Sequence, residues 1–265
     1  FNNLGKLDQN KMAMAEPVSF KARDGETIHG YMSRPVGAKP EAKIPLVTLV
    51  HGGPHGVRDY WTYNREVQLL NSQGYAVLRV NYRGSGGYGK KYQRAGYKRW
   101  GDLIQHDIID GTKWAIENQN IDADKVCIMG TSFGGYSAVQ SATMEPDLFK
   151  CVVANAGVYD LEMMYEEGDI PQRGWGESYL EMVVGSDKAK LREFSPVNNV
   201  DKLKAAIMIA HGERDERVPV EHAEKLAENL KKAGKKYRWF VRSTEGHGSS
   251  MKKTESSILK KSLIF

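Results

Sequence analysis

The chain predicts an α/β fold, a mostly parallel central sheet of about eight strands with helices on both faces. Three observations carry this expectation. Short apolar runs of strand length alternate with stretches of helical pattern from Leu46 to Val241, the order of parallel strands joined by crossover helices. One such run, Val126-Cys127-Ile128-Met129, stops at Gly130-Thr131-Ser132-Phe133-Gly134 and passes directly into a helix-like stretch. Two later strands run into loops that hold acids and a histidine, His211-Gly212-Glu213-Arg214-Asp215-Glu216 and Thr244-Glu245-Gly246-His247-Gly248. In open parallel sheets the chemistry sits beyond the carboxyl ends of the strands.

Taken in order, Pro17 to Pro35 reads as a β-hairpin, Val18–Ala22 and Thr27–Ser33, turning at Asp24-Gly25. Leu46–Val50 is a buried strand, followed by a helical pattern from about Tyr63 to Ser72. Strand Tyr75–Asn81 leads through a glycine-rich loop to a helix from about Asp107 to Asn118. Strand Lys125–Met129 turns at Ser132 into helix Gly134–Met144. Strand Cys151–Ala154 opens a long irregular excursion, cap-like over about 158–200. Strand Ala205–Ala210, helix Val220–Ala233, strand Tyr237–Val241 and a terminal helix near Ser257 complete the pattern.

At 265 residues the chain fits a single α/β domain spanning 1–265. Its 40% hydrophobic and 27% charged residues are ordinary for a globular protein. The longest apolar runs, such as Ala205–Ala210, are too short to cross a bilayer, and no signal peptide, repeat or low-complexity tract is visible. The first residue is Phe1 rather than Met, so anything upstream is outside view. Cys127 and Cys151 each sit in an apolar strand-like run and are expected to be buried free thiols, which favours a reducing, cytoplasmic location. The net charge is +5, with lysine pairs such as Lys231-Lys232 and Lys235-Lys236. These pairs lie on and beside amphipathic helices and read as solvated faces, not as a nucleic-acid surface.

A strand, G-x-S-x-G and a helix in succession form the nucleophile elbow of an α/β-hydrolase, a turn sharp enough to hold the serine hydroxyl above the sheet. In that fold the acid and the base follow the serine in the order Ser, Asp/Glu, His. Ser132 is therefore the expected nucleophile and His247 the base, with an acid to fix the histidine tautomer. Glu213, Asp215 and Glu216 compete for the acid. Asp215 is preferred for its short side chain in a tight turn, with Glu213 as the alternative. The tetrahedral intermediate needs amide donors. One is expected from Phe133 and the other from Gly53, in the loop His51-Gly52-Gly53-Pro54-His55-Gly56. Pro54 has no N–H and serves only to stiffen that loop.

Six segments then fall in a familiar order: His51-Gly52-Gly53-Pro54, Asn81-Tyr82-Arg83-Gly84-Ser85, Gly130 to Tyr136, Ser195-Pro196, His211-Gly212-x-x-Asp215-x-x-Val218-Pro219 and Gly246-His247-Gly248. Together they resemble the catalytic domain of the prolyl oligopeptidase family of serine peptidases, in its acylaminoacyl-peptidase-like branch. The resemblance runs from Pro17 to Gly248. It implies Ser132, Asp215 and His247 as the triad and the Gly53 and Phe133 amides as oxyanion donors. Three departures accompany it. The family usually carries an N-terminal β-propeller and this sequence has none. Phe133 stands where tyrosine is common, and the segment after Gly248 is shorter than the family's closing helix.

The expected activity is hydrolysis of amide or ester bonds in short peptides or acylated amino acids through an acyl-enzyme on Ser132. A carboxylesterase acting on small acyl esters is the alternative. Tyr159, Met163, Met164, Tyr165 and Trp175 are candidates to line the acyl pocket; Glu162, Glu166 and Glu167 read as a solvated acidic surface rather than an amine site. Gly84 to Gly89 matches G-x-G-x-x-G but does not open a helix directly, so it reads as an active-site rim and not as a nucleotide site. His51, His55 and His211 are expected to shape the site-edge loops. No spacing suggests zinc, and neither metal nor cofactor is expected. The expected partner is a small-molecule or short-peptide substrate, with no nucleic acid and no membrane; the resemblance also implies self-association.

Overall fold

The computed structural model describes residues 8–247. Within them the hairpin forms first, β1 (Ala15–Lys21) against β2 (Thr27–Ser33), antiparallel and closed around Asp24-Gly25. Then follow β3 (Ile44–Val50), α1 (Arg65–Ser72), β4 (Ala76–Asn81), α2 (Lys90–Ala95), α3 (Leu103–Asn118), β5 (Ile121–Thr131) and α4 (Phe133–Met144). The second half comprises β6 (Cys151–Asn155), α5 (Gly176–Val183), α6 (Lys188–Glu193), β7 (Ala206–Gly212), α7 (Glu221–Lys232) and β8 (Tyr237–Arg242). One sheet takes all eight strands in the order β1-β2-β4-β3-β5-β6-β7-β8. β2 joins β4 antiparallel, and every pair from β4 onward is parallel. The sheet is open, as the sequence predicts; it does not close into a propeller.

Alternation along each strand divides the core. Leu46, Leu78, Val126, Ile128, Val152 and Ile207 pack with Ile104 and Ile108 of α3 and Val139 of α4. Val47, Leu49, Val77, Met129, Val153 and Met208 point the other way, toward Val67 and Leu70 of α1. Both faces are thus covered, which is why these strands read as nearly continuous apolar runs. No helix among the described residues is long and apolar enough to cross a membrane.

The structure departs from the sequence reading in three places. Cys127 and Cys151 are joined in a disulfide, not free: they are direct partners in the β5–β6 register, with Cα atoms 4.6 Å apart. Strand neighbours put both side chains on one face at bridging distance, and the argument for a reducing compartment falls with the free thiols. The excursion over 158–200 is not irregular; it holds α5, α6 and two single 3₁₀ turns, with a third starting at Val200. Glycines 168, 174, 176 and 185 and Pro171 cut it into pieces too short to show a helical period. Likewise α2 occupies part of what reads as loop, and α3 begins four residues early, where the Asp102 carboxylate accepts from the Leu103 amide. The terminal helix near Ser257 lies outside the described residues.

Arg83, just past β4, pairs with two carboxylates: Asp107 of α3, which is buried, and Asp24 of the hairpin turn, which is half-exposed. Arg83, 7% exposed, donates from Nη2 and Nε to Asp107 at 2.6 and 3.0 Å and from Nη1 to Asp24 at 2.5 Å. The Asp107 side chain is fully buried. Arg83→Met keeps the stem and the backbone N–H that donates to Asp107 at 2.9 Å but removes the countercharge of that buried carboxylate, so unfolding free energy should drop by about 3–5 kcal/mol. Urea titration of both proteins checks this; a loss under about 1 kcal/mol would mean water reaches Asp107.

Candidate active site

The parallel strands β3, β5, β7 and β8 deliver four loops to one edge of the sheet, and the site is assembled from them. Ser132 is the single residue between β5 and α4, at φ 60° and ψ −124°. This left-handed backbone costs a non-glycine residue about 1–3 kcal/mol and persists only where its surroundings over-determine it. Here the Ser132 amide donates to Asn155 O at 2.9 Å, and its carbonyl accepts from Tyr136 N at 3.1 Å. The flanking glycines are required by close approach: a Cβ on Gly134 would meet Val50 O, and one on Gly130 would fall 2.4 Å from the Gly134 backbone.

Ser132 Oγ lies 3.1 Å from His247 Nε2, and His247 Nδ1 lies 2.8 Å from Asp215 Oδ2. A carboxylate oxygen only accepts, so Nδ1 carries the proton and the bare Nε2 faces the serine hydroxyl. The Asp215 loop and the His247 loop are zipped together by Glu213 N to Arg242 O and Arg214 N to Glu245 O, both 2.9 Å. The Asp215 side chain is inaccessible to solvent, and its Oδ1 accepts the Arg217 and Val218 amides at 3.0 and 2.9 Å. Burial pushes its carboxyl pKa up; the hydrogen bonds from His211, His247 and the Val218 amide more than offset this and hold it well below the usual range. Glu213 and Glu216 are exposed, so of the three acids only Asp215 meets His247.

Phe133 is the first residue of α4, where an amide has no acceptor within the helix. Its ring is buried against Trp100, with centroids 4.9 Å apart. Gly53 lies on the loop after β3 and lines, with Ser132, Phe133 and His247, a cavity of about 540 Å³. The rest of that wall is mainly apolar, with Trp100, Val158, Met164, Ile170, Trp175, Tyr179 and Val218, and includes Arg217, which is paired with Asp169 at 3.0 Å.

Of the expected pocket residues, Met164 and Trp175 line the cavity, while Tyr159, Met163 and Tyr165 do not. Tyr159 is fully buried, and its hydroxyl accepts the Gly157 amide at 3.2 Å. Met163 starts a 3₁₀ turn one residue out of phase with Met164. Tyr179 escaped the sequence reading although its signal was present: it follows Trp175 by four positions, one helical turn, and the two rings meet edge to face at 5.8 Å. Glu166 and Glu167 are exposed and Glu162 pairs with Arg192 at 2.8 Å, away from the cavity. The Gly84–Gly89 loop knits onto the Gly53 loop through Gly56 N to Gly84 O and Gly86 N to Val57 O. No cluster of three metal-ligating side chains occurs among the described residues. A further cavity of about 360 Å³ lies beside the Cys127–Cys151 bridge, lined by Val47, Leu70 and Tyr75 and by none of Ser132, Asp215 and His247.

Comparison with known proteins bears on family and fold. The profile of the prolyl oligopeptidase family matches residues 61–265. A dipeptidyl aminopeptidase BIII of Pseudoxanthomonas mexicana is 32% identical over 261 residues, covering 94% of this chain and 37% of that protein. Among solved structures, a puromycin hydrolase superposes with a TM-score of 0.88 at 25% identity, over 96% of this chain and 39% of the other. An acylaminoacyl peptidase of Pyrococcus horikoshii gives 0.85 at 27% identity, over 99% and 42%. The chain therefore spans about two fifths of the length of these relatives. With the family profile covering most of its length and the same fold in these structures, the chain belongs to the prolyl oligopeptidase family.

Proposed function

We propose that this chain is a serine peptidase domain that opens amide bonds of short peptides or acylated amino acids through an acyl-enzyme on Ser132. The observation that carries the reading is the unbroken hydrogen-bonded line from Ser132 Oγ through His247 to the buried Asp215 carboxylate. His247 Nε2 takes the serine proton as Oγ bonds to the carbonyl carbon, and Asp215 stabilises the imidazolium. The oxyanion faces the Gly53 and Phe133 amides. Collapse breaks the C–N bond, His247 returns the proton to the leaving amine, and water then releases the acyl group by the same steps. The apolar wall of Trp100, Met164, Ile170 and Trp175 suits an uncharged, bulky side chain next to the scissile bond. Relatives named as an aminopeptidase and an acylaminoacyl peptidase favour peptide over ester substrates.

The test is paired kinetics on this chain with an N-acetyl-phenylalanyl anilide and a short-chain p-nitrophenyl ester. A phosphonofluoridate is then used to trap the nucleophile. Turnover of both substrates is expected, abolished in step with a single adduct mapped by mass spectrometry to Ser132. Ester cleavage without anilide cleavage would make the chain an esterase, and turnover that survives full Ser132 labelling would overturn the mechanism.

A further inference from the structure

Trp100 stands between α2 and α3 and forms part of the wall of the cavity beside Ser132. Its backbone is fixed: the carbonyl accepts from Gln105 Nε2 at 2.8 Å. Its ring is wedged among apolar surfaces, edge to face on Phe133 and tilted on Tyr136, with centroids 4.9 and 6.1 Å apart. Apolar contact is non-directional and does not decide which edge of the indole turns which way. The one directional bond open to the side chain is its N–H, which donates to His55 Nε2 at 2.9 Å. An indole nitrogen only donates, so Nε2 is the bare nitrogen of His55 and Nδ1 carries the proton. Burial holds the imidazole pKa down to about 4, which keeps the ring neutral and Nε2 free to accept.

His55 is itself firmly seated. Its ring meets Tyr97 edge to face at 4.7 Å, and a Cβ on Gly84 would fall 3.3 Å from its Nδ1. It does not line the cavity. Trp100 therefore directs its N–H away from the substrate space and leaves carbon surface facing it. With that acceptor gone, a buried N–H finds a partner only where water enters, and the space beside Trp100 that admits water is the cavity. We infer that His55 is a specificity-determining residue: by taking the Trp100 N–H it keeps the cavity wall apolar, so that the pocket selects a bulky uncharged side chain over a small one. This deepens the acyl-transfer reading above and rests on it.

Two variants of His55 and one of Trp100 test this. His55→Leu removes the acceptor and keeps an apolar body; His55→Gln carries an amide oxygen out to the position of Nε2. In the wild type, kcat/KM should favour an N-acetyl-phenylalanyl anilide over an N-acetyl-alanyl anilide. His55→Leu should shrink that ratio about tenfold, the lower end of what an apolar pocket discriminates, with nearly all of the change on the phenylalanyl substrate. His55→Gln should bring the ratio back to within about threefold of wild type. In Trp100→Phe, which has no N–H to place, adding His55→Leu should change the ratio less than about twofold. Equal losses on both substrates, a Gln variant no better than Leu, or the same tenfold shift without the indole N–H would each overturn the assignment. Calorimetry on Ser132→Ala proteins carrying the same changes reads the wall without a covalent step. Their affinity for N-acetyl-phenylalaninamide over N-acetyl-alaninamide should follow the same order. Turnover indifferent to Ser132 sinks the acyl-transfer reading, and the amide affinities then still judge the wall. Equal affinity for the two amides with His55 in place sinks the wall alone.

Discussion

Ser132→Ala should lower kcat/KM for the acyl-aminoacyl anilide by about 10⁵- to 10⁶-fold, with KM nearly unchanged. Alanine keeps the Cβ, so the elbow retains its φ of 60° and the same backbone bonds to Asn155 and Tyr136. The cavity wall and the Gly53 and Phe133 amides also stay, which preserves substrate binding and a residual rate above water from positioned donors alone. What disappears is the one atom 3.1 Å from His247 Nε2 that can form the covalent intermediate. Single-turnover kinetics at high enzyme concentration reads the remainder. A decrease smaller than about 10²-fold would place the nucleophile elsewhere, because general-base attack by water does not approach that rate.

Asp215→Asn should cost about 10⁴-fold in kcat while the protein remains folded. The direction follows from the two amides on Oδ1. Arg217 N and Val218 N both donate there, so an asparagine must set its carbonyl oxygen in that position and turn its NH₂ toward His247. That group donates to Nδ1, moves the imidazole proton to Nε2, and leaves Ser132 facing a donor instead of a base. Glu213→Gln changes an exposed side chain outside this chain of bonds and should leave kcat within about twofold of wild type. A large loss in Glu213→Gln together with an active Asp215→Asn would exchange the two roles.

The elbow was legible because its demand is local. Only glycine fits beside a backbone as close as Gly134 is to Val50 O, and that requirement is written into five consecutive residues. The loops of Gly53, Asp215 and His247 were legible as strand ends, since alternation of strands and helices fixes which edge they share. The choice among Glu213, Asp215 and Glu216 rests on which side chain the Arg217 and Val218 amides capture, and that is a property of the folded turn. Tyr159 and Met163 misled for a related reason. In a segment broken by glycine and proline, one residue of phase decides between cavity and core, and no period is long enough to set it. The disulfide was invisible because the sequence marks Cys127 and Cys151 as strand residues without saying that their strands are neighbours in this register.

His247 follows Ser132 by 115 residues and is held just beyond β8, an outermost strand of the sheet. On the ribosome, therefore, the proposed nucleophile Ser132, its elbow and the Gly53 and Phe133 amides leave the exit tunnel well before the proposed base, His247. Among the described residues β8 pairs with β7 alone, so His247 reaches the serine once β8 has docked. Under the proposed mechanism, the stretch from Ser132 to His247 must be made and folded before the serine can react, so the order of the residues acts as a delay.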